Sequence, residues 1–442
     1  FGSSAFWAQA VPAQADRGAK HFASGRSERV LALAPPPSAG MSAPIVNSWN
    51  GWDPLREVLL GTMEGKQTSY ANEAGVKRKQ NNGKIFKYDL TEVVHDPVKR
   101  ATELVENFAD VLRGEGIRVT RPDGFDFGAE VKTPIFSVTQ SSGATCPRDV
   151  FFVAGNHVIE ATMSWKCRYF EHYAWRNALM SYYERDPAMR WTCAPKPVMR
   201  DSSFNLDPKL RTINDGEILF DAADVLRLGK DFFVQSAHTA NDAGRGWIRR
   251  ALAADGVRVH EFEFAGQKPG ENLGCPVTFS HLDAKVAATD EYTLFWCEEE
   301  RPSVSMMQLF RENDWKLIEA PKRYACSSPH DATARGIHLN VLGAGPSRAF
   351  VEASEGALIK TMREEGVDVI PVPFAPAYMY GGGLHCWTLD ISREGAQKSY
   401  FRTLDERDER LALKKARLAD KADQAPISPR RQRKSENEPT SA

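Results

Sequence analysis

Three stretches read almost alike: Glu115-Gly116-Ile117-Arg118-Val119, Asp255-Gly256-Val257-Arg258-Val259 and Glu365-Gly366-Val367-Asp368-Val369. Each follows a helix-like segment (Ala101–Leu112, Trp247–Leu252, Ala357–Met362) and runs on as a short β-branched strand. A glycine there suits the left-handed residue that ends a helix. Two looser copies exist. Glu171–Tyr183 is followed by Arg185-Asp186-Pro187 and the run Met189–Cys193, and Val304–Phe310 is followed by Asn313-Asp314-Trp315-Lys316-Leu317-Ile318. Strand-like runs precede the helices at Val58–Leu60, Val150–Val153, Phe232–Gln235, Tyr292–Trp296 and Ala349–Val351. The unit returns every 50 to 70 residues or so, about the period of a closed or stacked array of supersecondary elements. Five ββαβ-like units predict a cyclic, five-bladed α/β arrangement with a ligand site at its centre, where strand ends converge. The alternative is an ordinary α/β domain whose helix–strand turns agree by chance.

Composition narrows the partners. The chain has 442 residues, 42% of them hydrophobic, enough for a large core. Its 57 basic and 58 acidic residues nearly cancel, so no overall field favours nucleic acid or an anionic membrane. No stretch approaches the roughly 20 apolar residues that span a bilayer. A small-molecule ligand is the expectation. The seven cysteines are scattered and form no CxxC pair, which signals neither a zinc site nor a disulfide framework. Reduced thiols in the cytoplasm follow from that. Residues 1–45 read as a disordered or leader segment. Residues 1–40, rich in Arg and Ser and poor in acids, would direct the chain to a mitochondrion or plastid if they act as a transit peptide. Residues 46–400 form the expected catalytic domain. Residues 401–442 form a charged helix and a disordered tail, with the helix over 405–423.

Four local features could carry chemistry. In Gly381-Gly382-Gly383-Leu384-His385-Cys386-Trp387 the glycines permit close backbone approach and positive φ, so Cys386 could be a nucleophile. A packed cysteine in a tight turn is the competing reading. Phe220-Asp221-Ala222-Ala223-Asp224 offers acids beside small residues, or else a helix cap. Ser280-His281-Leu282-Asp283, read as a strand, would turn His281 and Asp283 to one face, a base beside a carboxylate. The other reading is a solvated turn. Cys146-Pro147-Arg148-Asp149 sets Asp149 at the mouth of an apolar run, which fits ligand binding and fits a simple turn residue equally well. There is no phosphate loop, HExxH or CxxC, so the expected chemistry is thiol-based, without metal or cofactor.

At these residues the sequence resembles the glycine amidinotransferase family. The resemblance covers about residues 50–395 and rests on Lys132-Thr133-Pro134, Pro147-Arg148-Asp149, Gly155-Asn156 with Ile159-Glu160-Ala161, Trp165, Arg168, Ala194-Pro195-Lys196-Pro197, Phe220–Asp224, His281-Leu282-Asp283 and Gly381–Trp387. It implies the pentein fold, a pseudo-five-fold α/β propeller. It implies L-arginine as donor, an amine as acceptor, ornithine as product, an amidino-cysteine intermediate and a dimer. By motif, Cys386 matches the nucleophile, His281 the general acid/base and Asp221 its orienting carboxylate. Asp149 and Asp283 match the acids that hold the guanidinium, and Arg301 falls near the arginine that binds the substrate α-carboxylate.

The chain departs from the family's pattern in its substrate pockets. A serine pair of the family falls at Thr333 and Ala334, the strand asparagine matches Asn340, Ser280 stands where glycine-specific members carry Met, and the loop Gly270–Phe279 differs. The expected acceptor is therefore either glycine or a precursor of a guanidinium natural product such as saxitoxin. A deiminase-like hydrolase on the same fold is the rival reading, and a non-catalytic arginine-binding protein the third.

Overall fold

The computed structural model describes residues 44–65, 97–138, 141–205, 210, 212–266, 281–298, 300–321 and 337–423. The expected leader up to residue 43, the tail from 424, Ser280, Thr333, Ala334 and the loop Gly270–Phe279 lie outside these residues.

Five three-stranded sheets follow one another along the chain. In the first, β1 (Leu55–Leu60) leads through α1 (Pro97–Gly114) to β2 (Arg118–Thr120), which pairs parallel to β1. A small hairpin, β3 (Val131–Lys132) and β4 (Ser137–Val138), precedes the second sheet. That sheet has β5 (Phe151–Ala154) antiparallel to β6 (His157–Glu160), then α2 (Arg176–Arg185) and β7 (Arg190–Cys193) parallel to β6. The third repeats the plan with β8 (Val225–Leu228), β9 (Asp231–Gln235), α3 (Asp242–Ala251) and β10 (Arg258–Phe262). The fourth has β11 (Val286–Asp290), β12 (Thr293–Cys297), α4 (Val304–Glu312) and β13 (Lys316–Ala320). The fifth has β14 (Leu342–Gly345), β15 (Arg348–Glu352), α5 (Gly356–Glu364) and β16 (Asp368–Val372). The last strand, β17 (Thr388–Arg393), pairs antiparallel with β1 and completes the first sheet. Every unit is thus ββαβ, and the first is assembled from the two ends of the described chain.

The sequence repeat finds its structural cause here. Gly116, Gly256 and Gly366 have φ of 77°, 68° and 88°, the left-handed turn between helix and parallel strand. Asp314 takes the same conformation in the fourth unit, with φ 64°. The second unit turns through Asp186 in an extended conformation instead, which explains its weaker pattern. The run Val150–Val153 falls mostly in β5, the first of the two strands that precede the helix of its unit.

Each helix lies on its own sheet because one face is apolar. In α1, Ala101, Val105, Phe108 and Leu112 recur at helical spacing and are all buried. Asn241 caps α3 by accepting from the Gly244 N–H at 2.8 Å, and Ser303 caps α4 by accepting from Met306 at 3.1 Å. Neighbouring units touch in cyclic order: β17 with β5, β5 with the turn before β8, β8 with the turn before β11, β11 with β14, and β14 with β1. A charged C-terminal helix, α6 (Arg402–Asp423), begins earlier than its sequence suggests. Phe401 and Leu404 are buried with Phe233, Phe310 and Trp315, and Asp405 pairs with Arg258 at 2.8 Å. No helix among the described residues is long and apolar enough to cross a membrane.

Between the units sits a buried ionic hub. Asp390 of β17 faces Arg148 from the turn before β5, Arg227 of β8 at 2.6 Å and Arg393 at 2.8 Å. Arg393 also donates to the Gly343 carbonyl of β14 at 2.9 Å. One carboxylate therefore ties together side chains from the first, second and third units, with a link to the fifth. Burial works against its ionised form, but the three guanidinium groups hold the Asp390 carboxyl well below the usual range. Burial likewise pulls Arg227 down to about 10, although Asp390 opposes this.

Asp390→Ala leaves three buried guanidinium groups without their shared anion, and is expected to cost about 3–5 kcal/mol in urea unfolding. Because the folded pKa is depressed, the contribution of Asp390 is present above the unfolded carboxyl value of about 3.9 and is lost as pH falls through the folded value. The gap in stability between wild type and variant should therefore narrow only in strong acid. A stability within error of wild type at pH 7 would remove the hub from this role.

Candidate active site

The same place in all five units supplies the site. A short turn before the first strand of each hairpin carries one or two polar residues. Asp149 lies in the turn Pro147–Val150 before β5, and Asp221 starts the turn Ala222–Asp224 before β8. His281 starts the turn Leu282–Ala284 before β11, with Asp283 inside it. Asn340 precedes β14, and Cys386 precedes β17. His281 and Asp283 therefore share a site through a helical turn, not through the strand alternation their spacing suggests. Asp221 occupies a cap position but makes no cap hydrogen bond. Its carboxylate accepts from the Ser164 N–H at 2.8 Å and the Ser164 hydroxyl at 2.6 Å, and it lies 3.1 Å from His281 Nε2.

Cys386, His281 and Asp149 converge, with Sγ, a ring nitrogen and a carboxylate oxygen all within 4.8 Å of one another. His281 Nδ1 is 3.5 Å from Asp149 Oδ1 while Nε2 faces Asp221, so each ring nitrogen has a carboxylate. Asp149 divides its oxygens. Oδ2 accepts from Arg168 at 2.8 Å, and buried Oδ1 has no hydrogen-bond partner. Arg168 is itself gripped by both oxygens of Glu171, each at 2.8 Å. A buried acceptor without a hydrogen bond costs on the order of 1–3 kcal/mol, and at Asp149 Oδ1 the facing His281 ring, 3.5 Å away, offsets that cost. Asp283 is oriented by His385, whose Nδ1 lies 2.7 Å from Oδ2, and that oxygen is 3.4 Å from Cys386 Sγ.

Asn340 holds the sulfur. Its side-chain oxygen accepts from the Cys386 N–H at 2.8 Å, and its Nδ2 lies 3.1 Å from Sγ. The glycines before Cys386 make room for this. Gly382 has φ of 98°, and a Cβ there would come within 2.8 Å of the sulfur. A Cβ on Gly383 would come within 2.8 Å of Asn340. Sequence reasoning connected Asn340 only with a substrate pocket and gave no role to Arg168 or His385. Asn340 and Arg168 come from other units, and nothing local to Cys386 announces them.

The electrostatics separate the groups. Burial raises the Cys386 thiol well above its usual range, and the charges of Asp283 and Asp149 add to that. Burial alone would lower His281, but the charge of Asp149, the hydrogen bond to Asp221 and the charge of Asp224 together hold it at about 10. Asp221 and Asp283 are depressed despite burial, chiefly by their hydrogen bonds to His281 and His385. Burial raises Asp149. Without a cation in it, the site combines a neutral thiol with an imidazolium and several acids.

Arg301 does not join this cluster. It is exposed after β12, with its guanidinium 5.9 Å from the Trp296 ring, and among the described residues it has no ion pair to the other site residues.

No family model matches the chain. The mitochondrial glycine amidinotransferase of Xenopus tropicalis is 33% identical over 373 residues, covering 80% of this chain and 85% of its own length. The chain belongs to the glycine amidinotransferase family. A solved amidinotransferase of the saxitoxin biosynthetic pathway from Microseira wollei shares its fold at a TM-score of 0.69 and 30% identity, over 81% of this chain and all (100%) of its own. The inosamine-phosphate amidinotransferase of Streptomyces griseus superposes equally well, at 0.69 and 27% identity, over 81% of this chain and 100% of that one. The five-bladed ring is therefore the pentein fold, and the protein is an amidino-transferring enzyme acting on small molecules.

The Asn340 contact predicts that Asn340→Ala lowers turnover by roughly tenfold to a hundredfold, the scale of a hydrogen bond to a charged group, with little change in KM. An unaltered kcat would show that the contact is only packing. The raised thiol predicts that the ultraviolet thiolate difference between wild type and Cys386→Ser stays absent up to about pH 9 in the free enzyme. A guanidinium ligand should move that transition to lower pH, and a thiolate visible at pH 7 without ligand would contradict the assignment.

Proposed function

We propose that this enzyme takes the amidino group of L-arginine onto Cys386 and hands it to a second amine, releasing L-ornithine. The observation that carries the reading is the convergence of Cys386 Sγ, the His281 ring and Asp149 Oδ1, which accepts no hydrogen bond, in one buried place. The guanidinium of arginine keeps its charge and offers donors in a fixed fork. Asp149 Oδ1 and Asp283 grip that fork and turn its central carbon toward the sulfur. The docked cation offsets the two carboxylates that keep Cys386 protonated, so the thiol proton leaves to solvent and the thiolate attacks.

Attack gives a neutral tetrahedral adduct. His281, charged at neutral pH, donates its proton to the leaving nitrogen. The bond from carbon to that nitrogen breaks, ornithine departs, and an amidino-cysteine cation remains. His281 is then neutral. An acceptor amine enters, attacks the same carbon and gives a proton to His281, and the thiolate is expelled. One imidazole serves as acid and then as base, oriented throughout by Asp221. Burial of the site disfavours water as the second nucleophile.

For the acceptor we propose glycine or the amine precursor of a guanidinium natural product. Relatives of both kinds support this: one is named for glycine and another for the saxitoxin pathway. The test is direct. Arginine alone should leave a mass increment on the Cys386 peptide, and ornithine should accumulate in quantity only when an acceptor is added. Glycine and larger amines are compared for turnover. Citrulline in place of ornithine would establish a hydrolase, and full activity of Cys386→Ala would end the covalent reading.

A further inference from the structure

Sequence spacing offers no metal motif, yet the fold assembles a ligand set that spacing cannot reveal, because its members come from three different units. Cys386 Sγ, a His281 ring nitrogen and an Asp149 oxygen lie within 4.8 Å of one another, all buried. A tetrahedral zinc ion with bonds of about 2.0–2.3 Å separates its ligand atoms by roughly 3.5 Å, so small side-chain rotations of about 1 Å would close the set. The ligand types are those zinc prefers: a thiolate, an imidazole and a carboxylate.

We propose that this cluster is also an inhibitory zinc site, in which the dication takes the place of the substrate's cationic carbon. Three observations beyond the cluster itself support it. Asp149 Oδ1 is buried and accepts no hydrogen bond; its charged neighbour is the His281 ring, so the two ligand atoms already face each other at 3.5 Å. His281 Nε2 lies 3.1 Å from Asp221, which leaves Nδ1, 3.5 Å from Asp149 Oδ1, to face the metal. A carboxylate behind a ligating imidazole is the usual support for zinc. The other two ligands are supported as well, Asp149 through Arg168 at 2.8 Å and Cys386 through Asn340 at 3.1 Å. On binding, the sulfur–hydrogen bond is exchanged for a sulfur–zinc bond, the ring proton on Nδ1 is likewise displaced, and both protons go to solvent. The fourth position is left to water. No electron is transferred, and a chelator reverses the binding.

The inference uses the residues of the proposed reaction, but it can stand or fall apart from that reaction. Full-length enzyme is titrated with Co²⁺ and with Zn²⁺, reading the thiolate-to-cobalt absorption and competition against a chromophoric chelator. One equivalent of metal per chain is expected, with the thiolate band lost in Cys386→Ser and affinity lowered at least tenfold in Asp149→Asn. Cys193→Ser, which removes an exposed cysteine, should leave binding unchanged. Thermal melts of the metal-free variants confirm that each is folded. Amidino transfer should be blocked by stoichiometric zinc and restored by a chelator. A folded wild-type enzyme that gives no thiolate–cobalt band overturns the proposal, and so does a band that survives in Cys386→Ser. Metal binding without amidino transfer in any acceptor screen would uphold the zinc site and defeat the proposed reaction. Transfer without metal binding would do the reverse.

Discussion

Strand β17 pairs with β1, and that single antiparallel ladder turns a row of five units into a ring. Each unit by itself is a sheet with one helix on it, able to bury that helix but not to place its leading turn opposite any other. Closure brings the five leading turns to a common centre. The Asp390 hub acts on the same joint. It lies on β17 and draws in arginines from the turn before β5 and from β8, so closing the ring and aligning its first three units are one event. The arrangement carries three guanidinium groups on one carboxylate. Such a cluster is costly to desolvate and cannot easily be built in any other register, because each misplaced arginine would be buried unpaired.

Convergence explains the chemistry better than any single residue does. Burial, and after it the neighbouring carboxylates, keep Cys386 protonated, while His281 is held charged against its burial by the carboxylates around it. A free thiol so held is protected from casual oxidation and alkylation. In the proposed reaction its activation is tied to the arrival of a cation. Asn340 and the three glycines add geometry: the amide fixes the sulfur from one side, and the missing Cβ atoms let the loop fold over it. The same features underlie the proposed zinc site. A thiol, an imidazole and a carboxylate brought this close can meet either a planar cation or a metal ion.

Much of this was legible in the sequence. The left-handed glycine between helix and strand is a local requirement, repeated wherever the local plan repeats, and so it can be read off at residues 116, 256 and 366. The residue types in GGGLHCW, FDAAD and HLD were equally plain, and the ring places all of them at its centre. What the local pattern misread was geometry. His281 and Asp283 share the site through a one-turn helix rather than strand alternation, and Asp221 makes no cap hydrogen bond.

The sequence by itself determined the unit and its number, because helix–turn–strand preferences act over a few residues and leave a periodic mark. It also determined which reactive groups the chain owns. Only the tertiary structure decided which of their atoms come together: Asn340 on the sulfur, His385 behind Asp283, Arg168 on one oxygen of Asp149 and the His281 ring near the other. Those contacts join residues from 19 to more than 100 positions apart. They exist because the ring closes, and closure is set by packing and charge between units, which no local spacing records.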